Sequence, residues 1–139
     1  MVKNLYYLIV GLFCIISAVT HTLNGTATIL PVLDNPEIES SVRTTLTYVW
    51  HIIGVENLIL GLALLIMAFY KNPAKVKFTA WLIIAILILR WITIATITMM
   101  HDSNPAKLLN TDTIAIVVII VLLLLGTRVK NKASGVEIK

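Results

Sequence analysis

Tyr48-Val-Trp-His-Ile-Ile-Gly-Val-Glu-Asn-Leu58 opens a long apolar run and yet carries His51, Glu56 and Asn57. An ionisable side chain inside a membrane segment is costly, and it faces protein or water rather than lipid. Reading this stretch as a membrane helix with one polar face decides the class of the fold. Composition points the same way. The chain has 139 residues, of which 58% are hydrophobic and 13% charged, more apolar surface than a soluble domain of this length can hide. The expectation is an all-α, integral membrane four-helix bundle forming a single membrane domain.

Working outward from Tyr48, the punctuation of the chain is Asn-Pro. Asn35-Pro36, Asn72-Pro73 and Asn104-Pro105 each stand before an apolar run, and each pairs a good N-cap with a proline suited to the first helical turn. Helices are therefore expected to start at Pro36, Pro73 and Pro105, the first favoured by Glu37 and Glu39 near the positive end of its dipole. A hydrocarbon core needs about 20 apolar residues. The predicted spans are about 5–23, 48–70, 73–101 and 105–127. An outer loop and an interfacial helix start fill 24–47, with Gly25 and Pro31 as breakers, and a polar tail follows over 128–139. The first span, preceded by Lys3, has the look of a signal peptide but no small-x-small cleavage site follows, so it is read as a permanent helix. Gly11, Ser17 and Ala18 suit it to helix packing, as do Trp50, Gly54, Asn57 and Gly61 in the second.

Basic residues set the orientation. Lys3, Lys71, Lys75, Lys77, Arg128, Lys130, Lys132 and Lys139 fall on one side of the predicted topology, against Arg43 and Lys107 on the other. Both termini are then cytoplasmic, in a multi-pass protein of the inner (plasma) membrane. The basic residues are dispersed at segment ends rather than clustered, which excludes a nucleic-acid partner. Cys14 is the lone cysteine and cannot form an internal disulfide.

Topology converts positions into depths. Glu56 lies about 12 Å along its helix from Tyr48, Arg90 about 16 Å from His101, and Asp112 about 10 Å from Pro105. Glu56 and Arg90 are thus expected at similar depth, with Asp112 as a rival partner for the arginine. His51, His21 and His101 lie nearer the outer face. The inner half is nearly pure hydrocarbon. This asymmetry implies a polar pocket open to the outside, with Glu56, Arg90, His51, Asn57 and Asp112 as candidate ligand-binding residues. A buried ion pair also serves simply to fix helix register, and the sequence leaves both roles open.

Three histidines on one face, with carboxylates nearby, suit a divalent metal, and a pair of them suits haem. His21, His51 and His101 are the candidate ligands, without a diagnostic spacing such as H-E-x-x-H. No Gly-rich phosphate loop, G-x-S-x-G or C-x-x-C is present, so no catalytic residue is assigned. The expected partners are the lipid bilayer and a small-molecule ligand, and a homo-oligomer is compatible with the chain. The leading functional expectation is binding of a small ligand or metal ion in the outer pocket. The alternatives are a metal- or haem-dependent membrane enzyme or electron carrier, a structural or accessory subunit, and a small proton-coupled transporter.

Overall fold

The computed structural model describes residues 1–129. The charged tail expected beyond Val129, with Lys130, Lys132 and Lys139, lies outside the described residues, as do the side chains of Lys107, Leu108 and Thr111. The described chain is all-helical, with no strand. Its four helices are α1 (Leu5–Asn24), α2 (Ser40–Phe69), α3 (Lys77–His101) and α4 (Pro105–Thr127). Three helical stretches, Leu5–Asp34, Ser40–Phe69 and Pro73–His101, are long and apolar enough to cross a membrane. The apolar part of α4, Asp112–Thr127, is shorter.

The three Asn-Pro signals resolve differently. Pro105 begins α4 as expected, but Asn104 makes no side-chain cap; instead Asp102 Oδ1 accepts the Asn104 N–H at 2.6 Å. Asn72 does cap, accepting the Ala74 N–H at 3.1 Å, but onto a tight 3-10 turn over Pro73–Val76, so that α3 starts four residues late. Pro36 starts no helix. Asn35 Oδ1 accepts the Glu37 N–H at 3.0 Å and the Asn35 carbonyl accepts the Ile38 N–H, a local turn that competes with helix initiation. Arg43 braces this turn through the Asn35 carbonyl at 3.2 Å and Asp34 at 3.9 Å, and α2 begins only at Ser40.

The expected loop after α1 is helical instead. Gly25–Ile29 forms a π turn, closed by the Leu30 N–H on the Gly25 carbonyl, and Leu30–Asp34 a 3-10 turn. Thr26 and Thr28 donate their hydroxyls back to the Thr22 and Asn24 carbonyls at 2.9 and 2.6 Å. These bonds satisfy backbone acceptors without water, which keeps the chain helical past a glycine.

The chain divides into two compact units, one of Leu8–Ile66 and the other of Met1–Tyr7 with the chain from Met67 on. In the first, α1 and α2 run antiparallel and touch through small residues. A Cβ on Gly61 would lie 2.9 Å from the Gly11 carbonyl oxygen and 3.1 Å from the Ile15 nitrogen, and one on Gly11 would lie 3.0 Å from the Gly61 oxygen. A Cβ on Gly54 would meet the Thr22 hydroxyl at 2.7 Å. The repeat Gly11, Ala18, Gly25 against Gly61, Gly54 keeps one seam in contact over several turns, because seven residues return a helix nearly to the same face. The small stripe expected on α2 is therefore the α1 contact.

The second unit is closed by its N-terminal residues. The Lys3 and Asn4 N–H groups donate to the Ala68 carbonyl at 2.8 and 3.0 Å. Asn4 Oδ1 accepts the Tyr7 N–H at 3.2 Å, capping α1, while Asn4 Nδ2 donates to the Gly126 carbonyl at 2.9 Å. Asn4 and Tyr7 are each 1% exposed. The Tyr7 ring lies across Gly126, where an added Cβ would overlap the ring. On the same unit Trp91 Nε1 donates to Thr113 Oγ1 at 3.1 Å, tying α3 to α4.

Gly61→Val is expected to lower stability by about 1–3 kcal/mol through overpacking, because the added carbons meet the Gly11 and Ile15 backbone as well as the Ile15 side chain. Thermal unfolding in detergent, with the exposed Leu62→Val as the control, checks this.

Candidate functional site

An open cleft of about 680 Å³ lies on the Leu8–Ile66 unit, lined by Ser17, Thr20, His21, Leu23, Asn24, Ala27 and Asn57. Ser17, Thr20, His21 and Asn24 recur at i, i+3, i+4 and i+7, which places them on one face of α1. No Lys, Arg, Asp or Glu is among the lining residues. Thr20 donates its hydroxyl to the Ile16 and Ser17 carbonyls at 3.0 and 3.3 Å, so its oxygen faces any guest as an acceptor.

His21 and Trp50 lock together beside this cleft. Their rings stack with centroids 4.3 Å apart and planes 9° from parallel. Each also bonds the other's backbone: Trp50 Nε1 donates to the His21 carbonyl at 3.2 Å, and His21 Nε2 lies 3.2 Å from the Trp50 carbonyl oxygen. A carbonyl only accepts, so Nε2 carries the proton and is the donor. Gly25 lets the indole in, since any Cβ there would overlap it. The π turn that starts at Gly25 changes the backbone hydrogen-bond register, and the indole supplies an extra donor to the turn immediately before it.

The residues singled out from sequence fall on both units. Glu56, Asn57, His51 and His21 belong to Leu8–Ile66, and Arg90, Asp112 and His101 to the other unit. Glu56, Asn57, Arg90 and His21 are half-buried, whereas His51, His101 and Asp112 are exposed. Of the seven, only His21 and Asn57 line the polar cleft. His51 borders a separate apolar groove of about 380 Å³ with Ala18, Val19, Thr22, Leu23, Gly54, Val55 and Leu58. It lies six residues from Asn57, which turns it about 120° around α2. Among the described residues no group of three or more His, Cys, Asp or Glu side chains is arranged to hold a metal ion. The expected convergence of His21, His51 and His101 therefore finds no support, and His21 has its Nε2 committed to a backbone carbonyl.

Sequence reasoning passed over Ser17, Thr20 and Asn24 as site residues and treated Trp50 as a packing residue. The signal was available in the polar i, i+3, i+4, i+7 face of an otherwise apolar helix. Comparison with known proteins finds no matching family model, no matching curated protein and no matching solved structure.

Trp50→Phe keeps an aromatic face for His21 but removes the only N–H of the indole. The His21 carbonyl then loses that donor, and a loss of about 1–3 kcal/mol is expected. Melting temperatures of Trp50→Phe and of the exposed Trp81→Phe, measured side by side, check it: the first falls and the second stays near wild type.

Proposed function

We propose that this is a multi-pass membrane protein whose cleft at Ser17, Thr20, His21, Asn24 and Asn57 binds a small, uncharged, hydrogen-bonding molecule. Four crossings form a bundle with both termini cytoplasmic, so that the cleft opens in the outer half of an inner (plasma) membrane. Three long apolar helical stretches support the crossings. The 23 residues of α4 reach about 35 Å, enough for a hydrocarbon core of about 30 Å. Lys3, Lys71, Lys75, Lys77 and Arg128 sit near the end that Asn4 closes, and basic residues gather on the cytoplasmic side.

The observation that carries the binding reading is the chemistry of the lining. Hydroxyls and carboxamides converge on an open cleft in a segment that is otherwise hydrocarbon, and a few placed polar groups in an apolar wall are what orient a small ligand. Hydrogen bonds made there gain from the low dielectric. Without a full charge in the lining, an ionic guest would lose its hydration with no counter-charge to replace it. The His21–Trp50 stack serves as a rigid wall rather than as a ligand set.

Native mass spectrometry of protein extracted in mild detergent tests this reading. An added small mass is expected on the wild type and on His51→Ala, and its loss on Asn57→Leu. Identical spectra for wild type and Asn57→Leu would contradict it.

A further inference from the structure

The end of the molecule closed by Asn4 carries charge of one sign. Lys3 is adjacent to Asn4 in sequence, Lys71 follows Ala68 by three residues, and Arg128 follows Gly126 by two. Ala68 and Gly126 are the carbonyls that Asn4 and its neighbour hold. Lys75 and Lys77 lie on the connection between α2 and α3 and its entry into α3. All five side chains are exposed. Residues 1–7, 67–77 and 126–129 contain no acidic residue, so nothing at this end of the described chain neutralises them.

We infer that this end is a docking surface for the headgroups of anionic phospholipids in the cytoplasmic leaflet. The inference rests on the membrane reading above and goes beyond it: orientation requires only that basic residues stay on one side, whereas binding requires that they be held together. The structure supplies the second condition. The cations come from three separate segments, and the backbone bonds of Lys3 and Asn4 to Ala68, with the Asn4 side chain on Gly126, hold those segments as one body. Cations carried on backbone segments that are tied together meet a phosphate surface with less chain freedom to lose than a flexible basic tail. Lys75 and Lys77 add to this, because they stand at the start of α3, where the dipole is positive and no acidic residue occupies the first turn. Cations there are disfavoured unless an anion approaches. Exposed Phe78, Trp81 and Tyr70 flank the same end, at the level where aromatic side chains meet headgroups.

The test uses the full-length chain reconstituted into phosphatidylcholine vesicles, with phosphatidylglycerol titrated in. Melting temperature is expected to rise with phosphatidylglycerol in the wild type and the rise to fade with added salt. Replacing Lys71→Gln, Lys75→Gln and Lys77→Gln together is expected to raise the half-saturating phosphatidylglycerol concentration about a hundredfold, given the usual contribution of each basic residue at an anionic surface. Arg43→Gln, on a different segment, should lower the starting melting temperature by losing its bonds to Asn35 and Asp34 but leave the rise with phosphatidylglycerol unchanged. Equal melting temperatures with and without phosphatidylglycerol, or a triple variant that matches wild type, would overturn the inference while leaving the membrane reading intact. A shift reproduced by inorganic phosphate alone would overturn the assignment to lipid. Protein that washes off the vesicles in alkaline carbonate would overturn both.

Discussion

A backbone carbonyl in hydrocarbon has no water to turn to, and each one left alone costs several kcal/mol. Regular helix satisfies its own carbonyls, so the difficulty gathers where helices end or change register. Three such carbonyls among the described residues, at or near helix ends or a register change, take a donor from elsewhere in the same unit. The Ala68 carbonyl near the end of α2 takes the N–H groups of Lys3 and Asn4. The Gly126 carbonyl near the end of α4 takes the Asn4 carboxamide. The His21 carbonyl, just before the π turn, takes the Trp50 indole. Each of these is also a point at which separate segments become attached, so satisfying the backbone and holding the unit together are the same event.

The glycines follow from the same constraint. A carbonyl is reached by a short side chain or an indole only if nothing stands between. Gly25 clears the space for Trp50, and Gly126 clears the space for Tyr7, whose backbone N–H is the one that Asn4 caps. Gly11 and Gly61 bring α1 and α2 close enough for the seam to hold in lipid, where packing rather than water exclusion drives association. The polar face of α1 is thereby presented on a rigid helix pair, with Asn57 brought to it from α2.

Much of this was legible in the sequence, and the parts that were not have identifiable causes. The helical class, the four helices and the start of α4 at Pro105 follow from hydrophobic runs and Asn-Pro punctuation. The α2 stripe of Trp50, Gly54 and Gly61 was readable as a contact surface, because small residues at helical spacing have few other uses in lipid. Pro36 misled because Asn35 has two options, capping a helix or closing a local turn, and Arg43 holds it in the second. Gly25 misled because a glycine after an apolar run signals a break, whereas here it admits a side chain from 25 residues along. The Asn4 clasp left a trace, an asparagine directly before an apolar run, but its partner Gly126 lies 122 residues away, and no local pattern announces so distant a contact. His21 invited a metal because three histidines were expected on one face with carboxylates nearby; its hydrogen bonds with Trp50, each to a backbone carbonyl, are not something that side-chain chemistry alone reveals.

The proposed orientation puts the end closed by Asn4 in the cytoplasm, on the strength of its basic residues. Single-cysteine accessibility in intact cells tests that statement most directly. In a Cys14→Ala background, cysteines at Lys3, Lys71 and Arg128 should react with a membrane-impermeant maleimide only after permeabilisation, and cysteines at Glu39 and Asp102 should react without it. Labelling of Lys71→Cys and Asp102→Cys from the same side would contradict the crossing of α3, and with it the account of the whole chain.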